Sequence, residues 1–303
     1  MSMAMLPYLK REYPGCRITC VCGGIVAPLF RQSGLVDEIV QVDEKRLLVA
    51  AKLRSLIRIW KRLFMRKFDL VLTAHKDPRY RLISLFVRAK ERRSWDAVPT
   101  IGRYHARQYL ELAGAVDSPI QFPEMNVSLK NEFVFASPYI VVAPGGAKNI
   151  LVDDLLRRWP IENYGLVISE LIRRSYHVIV IGASSDEWVR PFLPAGYMDL
   201  IGKTDLLDLI AILQRCDLLI THDSGPLHLA KLAKCRVLAL FGPTNPANFI
   251  SVDEGIEVVW GGARLPCRPC YDGKRFACCS NNQCMKSISV KTVIDTVLNK
   301  KIS

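Results

Sequence analysis

The sequence has no long apolar run, although half of its 303 residues are hydrophobic. No run approaches the roughly 20 apolar residues that a membrane-spanning helix needs, and the first residues are not those of a signal peptide. The ten cysteines are scattered through the chain, with one late cluster, and do not form a small secreted framework. These absences favour a cytoplasmic globular protein with reduced thiols.

Two phosphate-binding motifs are also missing. Gly202-Lys203-Thr204 looks like the end of a P-loop, but five residues separate Gly196 from Gly202 where that motif has four. The Gly-x-Gly-x-x-Gly dinucleotide fingerprint does not occur. The sequence therefore excludes the two commonest glycine-rich phosphate loops.

What the sequence does contain is an alternation of apolar runs and helical patterns, which is typical of parallel α/β proteins. In the first half we predict strands at 17–22, 38–42 and 69–73, and helices at 27–32 and 102–113. In the second half we predict strands at 139–143, 177–181, 218–221 and 237–241, and helices at 161–174, 206–215 and 225–234. The pattern fades between 117 and 131, so we expect two domains, 1–130 and 131–303.

The segment 221–230, Thr-His-Asp-Ser-Gly-Pro-Leu-His-Leu-Ala, predicts a sharp turn from a strand into a helix. Gly225 permits close approach of a ligand, and Pro226 fits the first helical turn. The helix N-terminus favours a phosphate, to which His228 would add a donor. Asp223 ends the strand and is placed to accept hydrogen bonds from hydroxyls. Phosphate donors beside a hydroxyl acceptor indicate a phosphorylated sugar.

A second turn, Pro144-Gly145-Gly146-Ala147-Lys148, directly follows the predicted strand 139–143. Ligands of parallel sheets collect beyond the carboxyl ends of the strands, where both turns fall. Lys148, Arg157 and Arg158 could supply cations to a diphosphate. Metal-dependent sugar transferases commonly hold a divalent ion with an Asp-x-Asp pair, which this chain lacks. We therefore expect the helix dipole and basic side chains to neutralise the phosphates.

The net charge of +13 is concentrated in one segment. Between Lys45 and Arg93, 16 Lys and Arg stand against three acids. Within that segment, large apolar residues recur at helical spacing among the basic ones: Leu53, Leu56, Ile57, Trp60, Leu63 and Phe64. This pattern fits a helix that lies on an anionic membrane through 45–67, and it fits equally an ordinary surface helix with solvated charges. No motif that reads nucleic acid accompanies the charge, so we expect no nucleic-acid partner.

The late cysteines permit two interpretations. Cys267, Cys270, Cys279 and Cys284 could hold a tetrahedral zinc through four thiolates, and Cys267-x-x-Cys270 has suitable spacing. The second half of the cluster is irregularly spaced. We therefore favour reduced thiols in a loop, with no metal.

Five segments of the second half occur in a characteristic order, namely Pro144-Gly145-Gly146, Arg158-Trp159-Pro160, Ile201-Gly202-Lys203-Thr204, Asp223-Ser224-Gly225-Pro226-Leu227-His228 and Leu240-Phe241-Gly242-Pro243-Thr244. With this order the second half resembles the donor domain of glycosyltransferase family 9, the ADP-heptose lipopolysaccharide heptosyltransferases. The first half resembles the family more loosely, through 9–14 and 36–39.

The resemblance implies the GT-B architecture, an α/β fold in which two Rossmann-like domains with parallel sheets face a cleft. A nucleotide-sugar donor would bind 131–303, and a lipid-linked saccharide acceptor would bind 1–130. The implied reaction is an inverting, metal-independent transfer without a cofactor, from ADP-heptose to the lipopolysaccharide inner core. It implies a cytoplasmic enzyme, peripheral on the inner face of the inner membrane. Donor-binding residues would be Gly145, Gly146, Lys148, Arg158, Asp223, Ser224, Gly225 and His228, with Arg158 standing where many members have lysine.

The chain departs from the family pattern at its N-terminus. Family members usually begin with a strand that ends in a Gly-Asp loop, whose aspartate is taken as the general base. Here residues 2–7 already correspond to the following helix, so we expect that loop to precede Met1 and assign no catalytic residue. Two alternatives stay open, a family member that uses another nucleotide-sugar and a catalytically silent nucleotide-sugar-binding protein.

Overall fold

The computed structural model describes residues 1–43, 53–75, 77–85, 87–95, 103–130, 133–147, 154–251, 254–271 and 276–299. It divides into two compact units, Met1–Asn126 and Val127–Ser303, where the sequence predicted a division after residue 130. Within these described ranges no helix is long and apolar enough to cross a membrane.

In the first unit, parallel strands form two pairs. β1 (Thr19–Gly23) pairs with β2 (Glu38–Val42), and β3 (Lys67–Thr73) pairs with β4 (Arg88–Ser94). The helices are α1 (Met5–Glu12), α2 (Ala27–Gln32), α3 (Leu53–Leu63), α4 (Pro78–Ser84) and α5 (His105–Ala113), and a short 3₁₀ turn, Ser2–Ala4, precedes α1.

The basic helix α3 packs against the core of the first unit. Ile59 and Leu63 are buried, and Trp60 is half-buried against the same cluster, which contains Val40, Val42, Ile83 and Val87. Trp60 and Leu63, which the sequence offered as candidates for membrane contact, therefore face protein. Residues 45–52 and the side chains of 53–56 lie outside the described residues.

The second unit is built on a six-stranded, fully parallel sheet. Its strands are β5 (Tyr139–Ala143), β6 (His177–Gly182), β7 (Met198–Ile201), β8 (Leu218–His222), β9 (Val237–Phe241) and β10 (Ile256–Trp260). They lie in the order β10-β9-β8-β5-β6-β7. This order is that of a doubly wound sheet, whose topological switch point lies between β5 and β8.

The helices of the second unit are α6 (Ile161–Arg173), α7 (Leu206–Leu213), α8 (Gly225–Ala233), α9 (Gln283–Lys286) and α10 (Val290–Asn299). Every residue of β5, β8 and β9 is buried, which is why these strands are almost continuously apolar in the sequence. Asp205 begins α7, because its carboxylate accepts the N–H groups of Leu207 and Asp208 at 2.8 Å each. The sheet and these helices fix the strand ends on which the candidate site is built.

Candidate functional site

The two glycine turns meet at the switch point of the second unit. Ala143 and Thr221 are register partners at the ends of β5 and β8, so the turns that follow them lie side by side. A Cβ atom on Gly146 would lie 3.4 Å from the Cβ atom of Ser224. Ligands of doubly wound sheets bind in the crevice at this position. The structure thus brings together the two segments that the sequence singled out separately.

The turn after β5 is held by a buried carboxylate, that of Asp186. Its Oδ1 accepts the N–H of Gly146 and its Oδ2 accepts the N–H of Ala183, both at 2.8 Å. A Cβ on Gly145 would lie 2.5 Å from Cγ of Asp186, so this position requires glycine. The N–H of Gly146 is used within the protein and is not available to a phosphate. Sequence reasoning missed Asp186, since no motif links it to a turn 40 residues earlier.

Arg158 also contacts the turn after β5. Its Nε donates to the carbonyl oxygen of Gly146 at 2.9 Å, and its guanidinium lies 5.1 Å from the ring centroid of Trp188. Lys148, the other cation expected beside the turn, lies outside the described residues.

Asp223 is almost completely buried and only partly satisfied. Its Oδ2 accepts the hydroxyl of Thr244 at 2.9 Å and lies 3.6 Å from Nη1 of Arg157. Its Oδ1 has no hydrogen-bond partner in the described part of the chain, and neither has Nε of Arg157. Burial raises the pKa of Asp223, although the cation of Arg157 opposes the shift. Because buried polar atoms are nearly always paired, the unsatisfied oxygen indicates a place for a ligand group.

Among the described residues, Arg157 is the cation that contacts Asp223, whereas the family resemblance pointed to Arg158. Its Nη2 also lies 2.6 Å from Oδ2 of Asp154, and this contact holds the guanidinium in place. The sequence named Arg157 as a possible diphosphate cation, and its contact with Asp223 emerges only in the fold.

The start of α8 is uncapped. Ser224 occupies the N-cap position with extended backbone and makes no side-chain cap bond; its Oγ lies 3.2 Å from Oγ1 of Thr221 instead. Among the described residues, a Cβ on Gly225 would meet no atom within 4 Å, so this position in the first turn of the helix is open. Unsatisfied N–H groups at a helix start form a seat for an anion. His228 lies in the first turn of this helix, half-buried, with its ring centroid 5.9 Å from that of Phe249.

His222, at the end of β8, is a further buried polar residue beside the site. Its Nδ1 lies 3.0 Å from the hydroxyl of Tyr164, and its Nε2 has no hydrogen-bond partner in the described residues. Burial, with a smaller contribution from Arg157 and Arg158, lowers the pKa of His222 to about 3. The imidazole is therefore neutral at pH 7. Sequence reasoning gave it no role, because nothing local shows that its ring is buried against Tyr164, 58 residues earlier in the chain.

The late cysteines pack beside this region. Cys267 is exposed, Cys270 and Cys279 are half-buried and Cys284 is buried. The N–H of Cys270 donates to the carbonyl oxygen of Pro243 at 2.9 Å. In the ranges that the structure describes, no group of three or more His, Cys, Asp or Glu side chains is arranged to hold a metal ion. The zinc interpretation gains no geometric support.

A doubly wound sheet with an open helix start and an unsatisfied carboxylate at its switch point is typical of nucleotide-binding proteins. Residues 76–279 match the model of glycosyltransferase family 9 (heptosyltransferase). The chain belongs to this family, as its motifs predicted, and it is a glycosyltransferase.

Individual relatives agree with this assignment. Lipooligosaccharide heptosyltransferase 2 of Haemophilus influenzae is 24% identical over 285 residues, which cover 81% of this chain and 80% of that protein. The structure of E. coli ADP-heptose lps heptosyltransferase II matches 98% of this chain and 93% of its own, with a TM-score of 0.74 and 18% identity. A glycosyltransferase family 9 structure from Veillonella parvula matches 98% and 92%, with a TM-score of 0.76 and 20% identity. These likenesses confirm the predicted GT-B fold with its two Rossmann-like units.

Proposed function

We propose that this glycosyltransferase transfers heptose from ADP-heptose to the inner core of lipopolysaccharide. The family assignment and the names of the relatives support heptose and the lipopolysaccharide acceptor. The single observation that carries the donor site is the start of α8, where Ser224 makes no cap bond to a described residue and a Cβ on Gly225 would meet no described atom within 4 Å, two residues after Asp223 and its unsatisfied Oδ1.

In this proposal the diphosphate lies at the start of α8. The helix N–H groups and His228 donate to its oxygens, and the cations of Arg157 and Arg158 lie on the same side of the sheet. This positive charge takes the place that a divalent ion fills in metal-dependent transferases. Oδ1 of Asp223 accepts a hydroxyl of the donor sugar, which satisfies the buried carboxylate.

The reaction is a single displacement. A hydroxyl oxygen of the acceptor forms a bond to the anomeric carbon while the bond from that carbon to the diphosphate oxygen breaks. The hydroxyl proton passes to a base, ADP leaves, and the anomeric configuration inverts because attack comes from the opposite face. The donors at the start of α8 stabilise the negative charge that develops on the leaving diphosphate. We assign no residue of the chain as the base.

A transfer assay tests the proposal. Purified protein, ADP-heptose and a heptose-deficient inner-core acceptor should yield free ADP and an acceptor heavier by one heptose, with inverted anomeric configuration. Other nucleotide-sugars serve as controls, and transfer from one of them alone would reassign the donor. Donor binding without any transfer would favour the silent binding protein.

We further propose that the first unit contacts the anionic membrane that carries the acceptor, on its cytoplasmic face. The contact surface, here called the apolar tip, consists of Phe64, Met65, Leu82 and Leu85, all exposed at the ends of α3 and α4. Trp60 holds these ends together, because its Nε1 donates to the carbonyl oxygens of Leu82 and Ile83 at 3.1 Å each.

Basic residues flank the apolar tip in the sequence. Lys61, Arg62, Arg81 and Arg88 are exposed and stand within three residues of its members in the sequence, and the guanidinium of Arg88 lies 5.6 Å from the ring centroid of Phe64. Exposed apolar residues flanked by basic ones suit an anionic bilayer, with about 1 kcal/mol from each Lys or Arg near the surface. This surface differs from the helical stripe suggested by the sequence, whose Trp60 and Leu63 face the core.

Vesicle flotation tests the membrane contact. The protein should float with vesicles that contain anionic lipid, less so at high salt, and not with neutral vesicles. The double variant Phe64→Ser/Met65→Ser should lose flotation, whereas Val134→Ser/Leu166→Ser, which removes exposed apolar residues of the second unit, should keep it. Equal flotation of both variants would refute the apolar tip.

A further inference from the structure

A buried ion pair lies behind the candidate donor site. Lys231 stands on α8, one helical turn after His228, and its side chain is 1% exposed. Its Nζ lies 2.6 Å from Oε2 of Glu254 and also donates to the carbonyl oxygen of Phe249. Burying such a pair rarely stabilises a fold more than apolar residues of similar volume would, so the pair calls for another explanation.

The ion pair connects α8 to the segment between β9 and β10, here called the fastened segment. Besides the ammonium of Lys231, Oε2 of Glu254 accepts the N–H of Ser251 at 3.1 Å. Through the carbonyl of Phe249, the same ammonium fixes the chain near the 3₁₀ turn Pro246–Asn248. Two points along this segment are therefore tied to a single residue of the helix.

The fastened segment contacts two residues of the donor site, Asp223 and His228. Near its start, Thr244 donates its hydroxyl to Asp223 at 2.9 Å. Further along, the ring of Phe249 packs between two rings, 5.9 Å from the centroid of His228 and 6.3 Å from that of Phe241. A shift of Phe249 would remove the packing that limits where the His228 imidazole can point.

We propose that Lys231 and Glu254 are positioning residues for donor binding. They hold Phe249 against His228 so that the imidazole is oriented toward the donor diphosphate before the donor arrives. The inference rests on the proposed function, because it takes His228 as a ligand of the diphosphate. It adds that an ion pair whose lysine lies one helical turn beyond His228 sets the affinity of the protein for the donor.

The test is a cycle of variants measured by calorimetric titration with ADP and with ADP-heptose. Lys231→Met/Glu254→Gln removes both charges together, so that no single charge is left buried and unpaired. We expect it to weaken donor binding about tenfold, the scale of one misaligned hydrogen bond to a charged group. The donor KM should rise while the acceptor KM and kcat stay close to those of the parent protein.

The second half of this variant cycle repeats the measurement in His228→Ala. If the pair acts through His228, adding Lys231→Met/Glu254→Gln to His228→Ala should weaken donor binding less than about twofold further. The matched control Lys291→Met/Asp295→Asn removes an exposed ion pair of the same unit and should leave donor binding unchanged. Phe249→Leu leaves the ion pair intact, and should weaken donor binding in the parent protein but not in His228→Ala.

The outcomes are distinguishable. Losses that multiply in the combined variant, or an unchanged affinity in Lys231→Met/Glu254→Gln, would overturn the positioning role while leaving the donor site intact. If the paired substitution prevents folding, Phe249→Leu decides the question alone, since an unchanged donor affinity overturns the proposal. Failure of the unaltered protein to bind ADP or ADP-heptose would refute the proposed function and, with it, the positioning role.

Discussion

Replacing Asp223 by asparagine should stabilise the donor-free protein and weaken donor binding. The substitution keeps the shape of the side chain and an oxygen that can accept the hydroxyl of Thr244. It removes a negative charge from a residue that is 1% exposed and whose Oδ2 lies 3.6 Å from Nη1 of Arg157. Burial raises the pKa of this carboxyl in spite of that cation, so folding disfavours the charged form relative to the neutral one.

The magnitude follows from the buried charge. The oxygen of asparagine accepts from Thr244, so its amide nitrogen takes the place of Oδ1 and is left in turn without a partner among the described residues. An unsatisfied charged group costs more than the ~1–3 kcal/mol of a neutral one, and loss of the attraction to Arg157 offsets part of the gain. We therefore expect asparagine to raise the free energy of unfolding by about 1–2 kcal/mol at pH 7, or Tm by roughly 2–8 °C for a unit of this size.

The rise in the free energy of unfolding caused by Asp223→Asn should depend on pH. Because the folded pKa of Asp223 is raised, its contribution to stability is fully present below the ordinary value of 3.8 and is lost as pH rises through the folded pKa. The advantage of asparagine should therefore be greatest at neutral pH and shrink as pH falls toward 3.8.

Thermal unfolding with and without ADP-heptose checks both halves of this prediction. Saturating donor should stabilise the unaltered protein far more than Asp223→Asn, whose donor affinity we expect to fall about 10- to 100-fold. Asp199→Asn, which weakens a half-exposed pair with Arg190, is the control and should change neither property much. A loss of stability above about 1 kcal/mol at pH 7 would mean that pairing with Arg157 outweighs burial. Equal donor affinity would remove Asp223 from the donor site.

Three further measurements test the site. Gly145→Ala should destabilise the second unit by about 1–3 kcal/mol in thermal unfolding, because its Cβ would meet Asp186. Gly225→Ala should fold normally and bind the donor more weakly. An unchanged donor affinity in Gly225→Ala would contradict the binding of the diphosphate at the start of α8. Tyr164→Phe removes the partner of the buried His222 and should cost about 1–3 kcal/mol in denaturant unfolding, and no change would mean that another group satisfies the imidazole. Metal analysis of protein purified without chelator should give a zinc content near zero, and one zinc per chain would restore the cysteine site.

Much of the fold was predictable because the central strands of the second unit are buried on both faces. Such strands appear as short apolar runs, and β5 and β9 begin and end where the sequence predicted. β4 was not predicted, because its sequence Arg-Ala-Lys-Glu-Arg-Arg-Ser has no apolar alternation. Pairing with β3, supported by an exposed ion pair between Lys90 and Asp69, makes it a strand. β7 and β10 were not predicted either, and a helix near α1 was expected only from the family resemblance.

The candidate site was predictable only where it depends on strand ends. Two turns that follow parallel strands must fall on the same edge of the sheet, and the observed strand order then makes them neighbours. The residues that support the turns lie far away in sequence, and nothing local marks them. Asp186 beneath Gly145, Tyr164 beside His222 and Glu254 opposite Lys231 all needed the fold.

Three of the unsatisfied polar atoms of the second unit suggest why donor-site substitutions should trade stability for binding. Oδ1 of Asp223, Nε of Arg157 and Nε2 of His222 are buried without partners in the described part of the chain. All three belong to one neighbourhood, since Arg157 contacts Asp223 and contributes to the lowered pKa of His222. Unsatisfied atoms destabilise the empty protein, whereas a donor that bonds to them regains that free energy on binding. Substitutions that relieve the empty site should therefore weaken the donor complex, and thermal shifts with and without ADP-heptose should move in opposite directions across such variants.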